Sequence, residues 1–324
     1  MWQFRLMVAS AAMLVCIPPA VVAQSASWPT QPVRLVVPFP AGGGVDNLSR
    51  QLADLLGQTW GQSVVVVNRP GGSTIVGTKS VVNANDDHTL LLTTDATFTV
   101  VPKINTAADY RLGTDFEPVA LVAEFDQMLV GKAGLASTDL ATLLAAGKKG
   151  QAYSYASYGA GSEPHLAIEM LKHVSGVDIL HVPYKGVPQA LNAVVAGEVD
   201  FTTSGTKTIQ PFVESGRLAP LAFTGPKRDS LFPATPTFTE LGMPEVKANV
   251  QIGIFAPTGL SEAAHQSVRE GVAAALNDPD FTQRAVVDRG FSRPSAPEGD
   301  LRQYYEKLAA ERGKLVSIAG VKAE

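Results

Sequence analysis

The apolar run Val33-Arg34-Leu35-Val36-Val37 stops in Pro38-Phe39-Pro40-Ala41-Gly42-Gly43-Gly44, and leucines at 48, 52, 55 and 56 follow at helical spacing. The order is strand, loop, helix. It commits this end of the chain to a layered α/β arrangement, because each apolar face needs a partner layer. The glycines free the backbone to approach a ligand closely, and the start of the helix turns unpaired N–H groups back toward the loop. Backbone alone can then cradle an anion. The glycine spacing is not G-x-G-x-x-G and no Gly-Lys-Ser/Thr follows, which argues against a nucleotide phosphate. A turn that simply needs glycine is the plainer alternative.

The alternation continues with a strand at 63–67, a helix at 74–82 and a strand at 89–93, as parallel βαβ units require. Ligands in such sheets sit at the carboxyl ends of the strands, so Thr93, Thr94 and Asp95 should share the rim with the glycine loop. The middle of the chain repeats the design. Strands at 119–122 and 127–130, a helix at 140–148 and a strand at 153–156 precede a second glycine-rich turn, Ser157-Tyr158-Gly159-Ala160-Gly161-Ser162. A helical stripe of Leu166, Met170 and Leu171 follows it. A strand at 179–182 then ends in Pro183-Tyr184-Lys185-Gly186, with a helix at 188–196 and strands at 199–203 and 218–224. Residues 249–256 read as a long extended crossing. The tail, 261–276, 280–288 and 301–318, is helical, with caps or acids at Ser261 and Asp280. Three helices without a full set of strands cannot build a separate core, so the tail should pack back on the first lobe. The expected fold is α/β with two lobes, each a mostly parallel sheet flanked by helices. Residues 24–124 with 253–324 form one lobe and 125–252 the other.

Residues 1–23 have the pattern of an export signal: Arg5, an apolar run from Leu6 to Val22, and the small or compact residues Val21-Val22-Ala23 before polar Gln24. The only cysteine, Cys16, falls inside it, so thiolate metal sites, cysteine nucleophiles and disulfides are excluded from the exported chain. About 300 residues remain, enough for two lobes. A formal charge of −4 without basic blocks argues against nucleic acid or an anionic membrane as partner.

Ser162 and His165 could form a nucleophile and base, but Gly161-Ser162-Glu163-Pro164-His165 is not the G-x-S-x-G elbow, and a serine there is more simply a helix cap. Both residues read equally as donors to a polar ligand or as loop-ordering groups. His165 and His181 have no H-E-x-x-H or dense acid cluster to join, and no metal or cofactor is expected. His88 and His265 lie in surface-like segments. Tyr184 could pack on a ligand or anchor its loop. Asp46 fits ordinary helix electrostatics, the favoured reading, although its place in the loop would also let it receive an ammonium group or reject a dianion.

Taken together the motifs resemble the Bug family, the periplasmic receptors of tripartite tricarboxylate transporters. The resemblance rests on residues 28–43 (Trp-Pro-Thr-Gln-Pro-Val-Arg-Leu-Val-Val-Pro-Phe-Pro-Ala-Gly-Gly), Val67-Asn68-Arg69-Pro70-Gly71, Asp115-Phe116-Glu117-Pro118-Val119, Gly159-Ala160-Gly161-Ser162 with His165, His181-Val182-Pro183-Tyr184-Lys185-Gly186, Gly197-Glu198-Val199-Asp200 and Phe255-Ala256-Pro257. It implies a monomeric, two-lobed periplasmic-binding-protein-like (type II) fold with the ligand cleft between the lobes, and a carboxylate held mainly by backbone amides and ordered waters. Phe39, Ala41, Gly42, Gly43 and Asp46 would then form the first wall, with Thr94 and Asp95 beside them. Ser157, Gly161, Ser162, His165, Tyr184, Thr203 and Ser204 would face them. The partners implied are a small organic carboxylate, namely a di- or tricarboxylate, an aromatic carboxylate or an amino acid, and the membrane permease subunits. Two positions depart from the family pattern: Asn85-Asp86-Asp87-His88 replaces a Pro-Asp-Gly-aromatic turn, and Thr202-Thr203-Ser204-Gly205 replaces an apolar pair followed by Asp. A receptor feeding a signalling protein and an exported serine hydrolase are the competing expectations.

Overall fold

The computed structural model describes residues 28–184, 186–295 and 300–321; the export signal expected at 1–23 lies outside the described residues, as does Lys185. The first sheet begins with β1 (Val33–Val37), α1 (Gly44–Trp60), β2 (Val64–Asn68), α2 (Ile75–Val82) and β3 (Thr89–Thr94). Two short helices, α3 (Ala96–Thr99) and α4 (Val101–Ile104), lead to β4 (Phe116–Phe125). The second sheet takes β5 (Gln127–Lys132), α5 (Leu140–Lys148), β6 (Tyr153–Ser157), α6 (Glu163–Ser175), β7 (Ile179–Pro183), α7 (Val187–Val195), β8 (Phe201–Gly205), α8 (Thr206–Glu214) and β9 (Leu218–Phe223). β10 (Val250–Pro257) returns to the first sheet, followed by α9 (Glu262–Asn277), α10 (Pro279–Phe281) and α11 (Leu301–Ile318).

The strand orders are β2-β1-β3-β10-β4 and β7-β6-β8-β5-β9. In each sheet four of the five strands run the same way; β10 in the first and β5 in the second are reversed. The β1-α1-β2-α2-β3 and β6-α6-β7-α7-β8 units therefore correspond, and the two glycine-rich loops occupy equivalent places. Leu48, Leu52 and Leu56 of α1 are buried against Val33, Leu35 and Val37, as the helical stripe requires. α1 runs past that stripe to Trp60 and stops at Gly61, whose φ of 65° ends the helix in the left-handed region.

Several elements depart from the sequence expectation. α8 is a helix that hydrophobic spacing did not reveal: Pro211 lies inside it and only Thr206 and Ile209 are buried. The stretch 280–288 is not one helix, for α10 passes into a π turn at Thr282–Val286 and a 3₁₀ turn at Val287–Arg289. Its cap is Asp278, which accepts the Phe281 N–H, with Asp280 the acid of its first turn, and Ser261 caps α9 by accepting the Ala264 N–H. The tail also touches the second lobe. α9 packs on α1 and β4, but Val316 of α11 meets Val100 and Ile104 from the first lobe together with Leu166 of α6. His88 and His265 are buried at 4% and 8% exposure, contrary to their polar surroundings in sequence. His88 accepts the Thr30 N–H and packs beside Trp28, tying the leading segment to the body of the sheet.

Candidate functional site

β1 delivers the chain to its rim, where Ala41 to Gly44 are exposed and Gly42 adopts a φ of 85° open to glycine. Gly43 occupies the cap position of α1, and no side chain caps the helix. Among the described residues, the Gly43, Gly44 and Val45 N–H groups have no acceptor. Asp46 is turned inward. Its carboxylate accepts the Gly42 N–H at 2.8 Å, the Asn68 side-chain amide at 2.8 Å and the Arg50 guanidinium at 3.1 Å. Burial works against its charge, but Arg50, Gly42 and Asn68 outweigh burial and hold the carboxyl below the usual range. Asn68 also donates to the Phe39 carbonyl at 3.2 Å, so both ends of the loop hang on one carboxylate and one amide. Phe39 itself is half-buried. Behind the loop, α2 approaches so closely that a Cβ on Gly77 would lie 2.7 Å from Pro38. The β2-α2 connection beside it carries positive φ at Ser73 (51°) and Thr74 (80°), costly for a β-branched side chain.

At the end of β3, Thr94 and Asp95 are buried. Asp95 accepts the Gln251 N–H at 3.0 Å and lies 3.4 Å from Arg312, whose guanidinium also donates to the Asn249 carbonyl. Asp95 thus clamps β10 and α11 to the rim.

In the second loop Gly161 takes a φ of 73°. Ser162 stands at the cap position of α6 but makes no cap; its hydroxyl donates to the Gly159 carbonyl at 2.7 Å. The Gly161 N–H donates instead to His165 Nδ1 at 2.9 Å, which places the imidazole proton on Nε2. His165 stacks on His181 at 4.2 Å and 8°, and His181 on Tyr155. Burial, then the neighbouring His181, push the His165 pKa down to about 4. Ser157 Oγ lies 2.6 Å from His181 Nε2. Thr203 and Ser204 are buried on β8, where Thr203 donates to the Gln127 side-chain carbonyl and Gln127 donates to the Tyr158 hydroxyl at 3.1 Å. The Tyr184 hydroxyl lies 3.5 Å from Glu198 of its own lobe. Ser162 and His165 form no hydrogen bond to one another and both are spent on the loop, which leaves the hydrolase reading without its pair.

The lobes meet at the second loop. A Cβ on Gly161 would lie 2.3 Å from Ile104 Cδ1 and 3.0 Å from Val100. The pocket between the lobes is lined by Asp95, Ala96 and Val100 on one side, Gly161, Glu163 and Leu166 on the other, and Lys247, Ala248 and Arg312 at its edge. Glu163, Arg312, Gln127, Tyr158 and Asn68 belong to this construction although none was assigned a role from sequence. Asn68 lay in the Val67 to Gly71 motif, and Tyr158 and Glu163 lay in and just after the second glycine-rich turn.

Two matched α/β lobes that meet at the second glycine loop define a periplasmic-binding-protein-like solute receptor. The chain belongs to the tripartite tricarboxylate transporter family receptors, whose family model matches residues 48–320. It is 31% identical over 274 residues to Protein BugT of Bordetella pertussis, covering 84% of this chain and 82% of that one. The structure of R. palustris Rpa4515 with adipate is similar at a TM-score of 0.83 and 30% identity, covering 92% of this chain and all of that one. MatC (Rpa3494) from Rhodopseudomonas palustris with bound malate gives 0.78 and 27%, over 89% of this chain and 100% of that one.

Proposed function

We propose that this protein is exported by the signal at 1–23 to the periplasm, binds a small organic carboxylate between its lobes and delivers it to the permease of a tripartite tricarboxylate transporter. The observation that carries the reading is the contrast between the two helix starts. α1 offers three unpaired N–H groups at an exposed rim, with its own acid turned inward; α6 begins Glu163-Pro164, an anion followed by a residue with no N–H. A carboxylate therefore belongs at Gly42, Gly43 and their neighbours Phe39 and Ala41, with Thr94 beside it. Ser157, Gly161, Ser162, His165, Thr203 and Ser204 form the opposite wall; Asp46, Asp95 and Tyr184 act by holding the walls in place. The lobes divide as 24–124 with 253–324, and 125–252. Adipate in the Rpa4515 structure and malate in the MatC structure are of this chemical class.

Rigid backbone donors suit such a ligand because they need no buried counter-charge, and lobe closure strengthens each hydrogen bond by excluding water. Thermal-shift screening against mono-, di- and tricarboxylates and amino acids tests the proposal. A ligand at 100 times its dissociation constant should stabilise the protein by about 2.7 kcal/mol. No stabilisation by any of them at millimolar concentration would count against it.

A further inference from the structure

We propose that Lys207 and the start of α8 form a second anion site, joined to the first loop by an aromatic wall of Phe125 and Phe291, so that this receptor selects ligands with an anionic group at each end of an apolar body. The inference rests on the first loop holding one carboxylate, and its own basis is a continuous line of contacts between two helix starts. A Cβ on Gly44, the first residue of α1, would lie 3.1 Å from Phe291 Cζ. The Phe291 ring packs on Phe125 with 5.4 Å between centroids. Phe125 in turn reaches the second lobe: a Cβ on Gly205, the cap position of α8, would lie 3.6 Å from its Cδ2. A second contact runs beside the first. A Cβ on Gly290 would lie 2.6 Å from Lys207 Cγ, so the lysine stem packs against the residue that precedes Phe291. Two half-buried rings therefore connect the start of α1 to the start of α8. An apolar wall between two sets of donors matches a ligand with charged ends and an apolar middle.

The start of α8 has the donors for an anion and no acceptor of its own. No side chain caps it, so its first N–H groups are left without a side-chain partner. Thr206, its first residue, is 3% exposed, and its hydroxyl has no partner. Among the described residues the partnerless side-chain groups sealed from solvent are those of Tyr110, Gln251 and Tyr305, so the Thr206 hydroxyl keeps an opening at the helix start. The Thr208 hydroxyl, also unpartnered, turns back to 3.9 Å from a Cβ on Gly205. Between them Lys207 is half-buried, and no ion pair or hydrogen bond joins its ammonium to a described residue. A cation in the first turn opposes the helix dipole, and an anion shared with the free N–H groups reverses that cost. The acids nearby are engaged elsewhere. Asp126, next to Phe125, turns to Gly225 and Asn249, and Gly225 follows β9, which flanks β5 on the side away from β8. Asp288 accepts the Gln283 side-chain amide at 2.7 Å. The end of β8 itself, Thr202-Thr203-Ser204-Gly205, carries no acid to repel a second anion.

Titration calorimetry on the purified protein with three matched sets tests this: succinate, butyrate and 4-aminobutyrate; adipate, hexanoate and 6-aminohexanoate; terephthalate, benzoate and 4-(aminomethyl)benzoate. In the best-fitting set the dicarboxylate should bind at least tenfold more tightly than either other member. Lys207→Met, which keeps a stem against Gly290 but no charge, should cut that ratio at least tenfold while the melting temperature stays within about two degrees. Lys207→Arg should keep the direction of the preference. Phe291→Ser should move the preference from adipate toward its hydroxylated counterpart mucate. A monocarboxylate or amino acid bound as tightly as the dicarboxylate by the wild-type protein, or an unchanged ratio in Lys207→Met, overturns the second anion site and leaves the carboxylate reading standing. An adipate-to-mucate ratio unchanged in Phe291→Ser overturns the aromatic wall. If no member of any set binds, both readings fail.

Discussion

Asp46 and His165 hold the same place in the two loops. Each is the third residue of its helix, and each accepts the N–H of the left-handed glycine four residues before it, Gly42 at 2.8 Å and Gly161 at 2.9 Å. One lobe uses a carboxylate for this purpose and the other a neutral imidazole. The geometry is shared and the response to acid is not.

His165 is held unprotonated in the folded protein, with its pKa lowered from 6.5 to about 4 by burial and by His181. The unfolded chain takes up this proton first, so the stability that neutral His165 confers is complete above about pH 6.5 and is lost as pH falls toward 4. Asp46 is lowered as well and keeps its charge until the pH drops below the usual carboxylate range. On acidification the second loop should therefore loosen before the first. Amide hydrogen exchange at pH 7 and pH 4.5 checks this: Gly161 should lose protection while Gly42 keeps it.

Asp46→Ala removes the acceptor for Gly42, Asn68 and Arg50 together. Unsatisfied buried donors cost about 1–3 kcal/mol each, and the Arg50 group can turn to water, so a loss of about 2–3 kcal/mol in urea denaturation is expected. Asp46→Asn, which keeps one acceptor, should cost about half as much. Ligand affinity should fall in both, in the same order.

Gly161→Ala places a methyl group where Ile104 and Val100 now sit, at a φ that disfavours any side chain. Lobe contact should suffer more than lobe stability. Affinity should drop at least tenfold, and small-angle scattering in the presence of ligand should show a more open particle. The double variant Gly161→Ala/Ile104→Ala should recover part of the affinity.

Asp126 is the single residue between β4 and β5. Burial raises its pKa from 3.8 to about 6; Asn249 and Arg312 oppose the shift and Glu124 adds to it. Here the folded protein binds the proton more tightly, so the contribution of the neutral acid is present below about pH 3.8 and is lost as pH rises through 6. Asp126→Asn should raise the melting temperature at pH 7.5 and change it little at pH 4.

Much of this architecture is legible in the chain because strands and helices announce themselves through apolar period. β1, α2 and α11 fall where the spacing of apolar residues puts them, and the two glycine loops identify the rim. Period does not encode strand direction, so the reversal of β5 and β10 could not be read from Gln127 to Val130 or from residues 249–256. α8 was hidden by Pro211, and the π turn after α10 has no signature of its own. The loops of the candidate site were legible in the chain, and the partners of its side chains were not. Nothing local distinguishes Arg312, buried between the lobes, from the exposed charges along the same helix. Ser162 had the residue type and position of a cap, yet the loop bends so that its hydroxyl meets the Gly159 carbonyl first.

The most direct test of the account is a carboxylate titration of ¹⁵N-labelled protein followed by amide NMR. With a ligand from the thermal-shift screen, the Gly43, Gly44 and Val45 amides should move downfield together and saturate with the calorimetric dissociation constant. Saturable binding that leaves these three amides unmoved would contradict the assignment of the first loop as the carboxylate cradle.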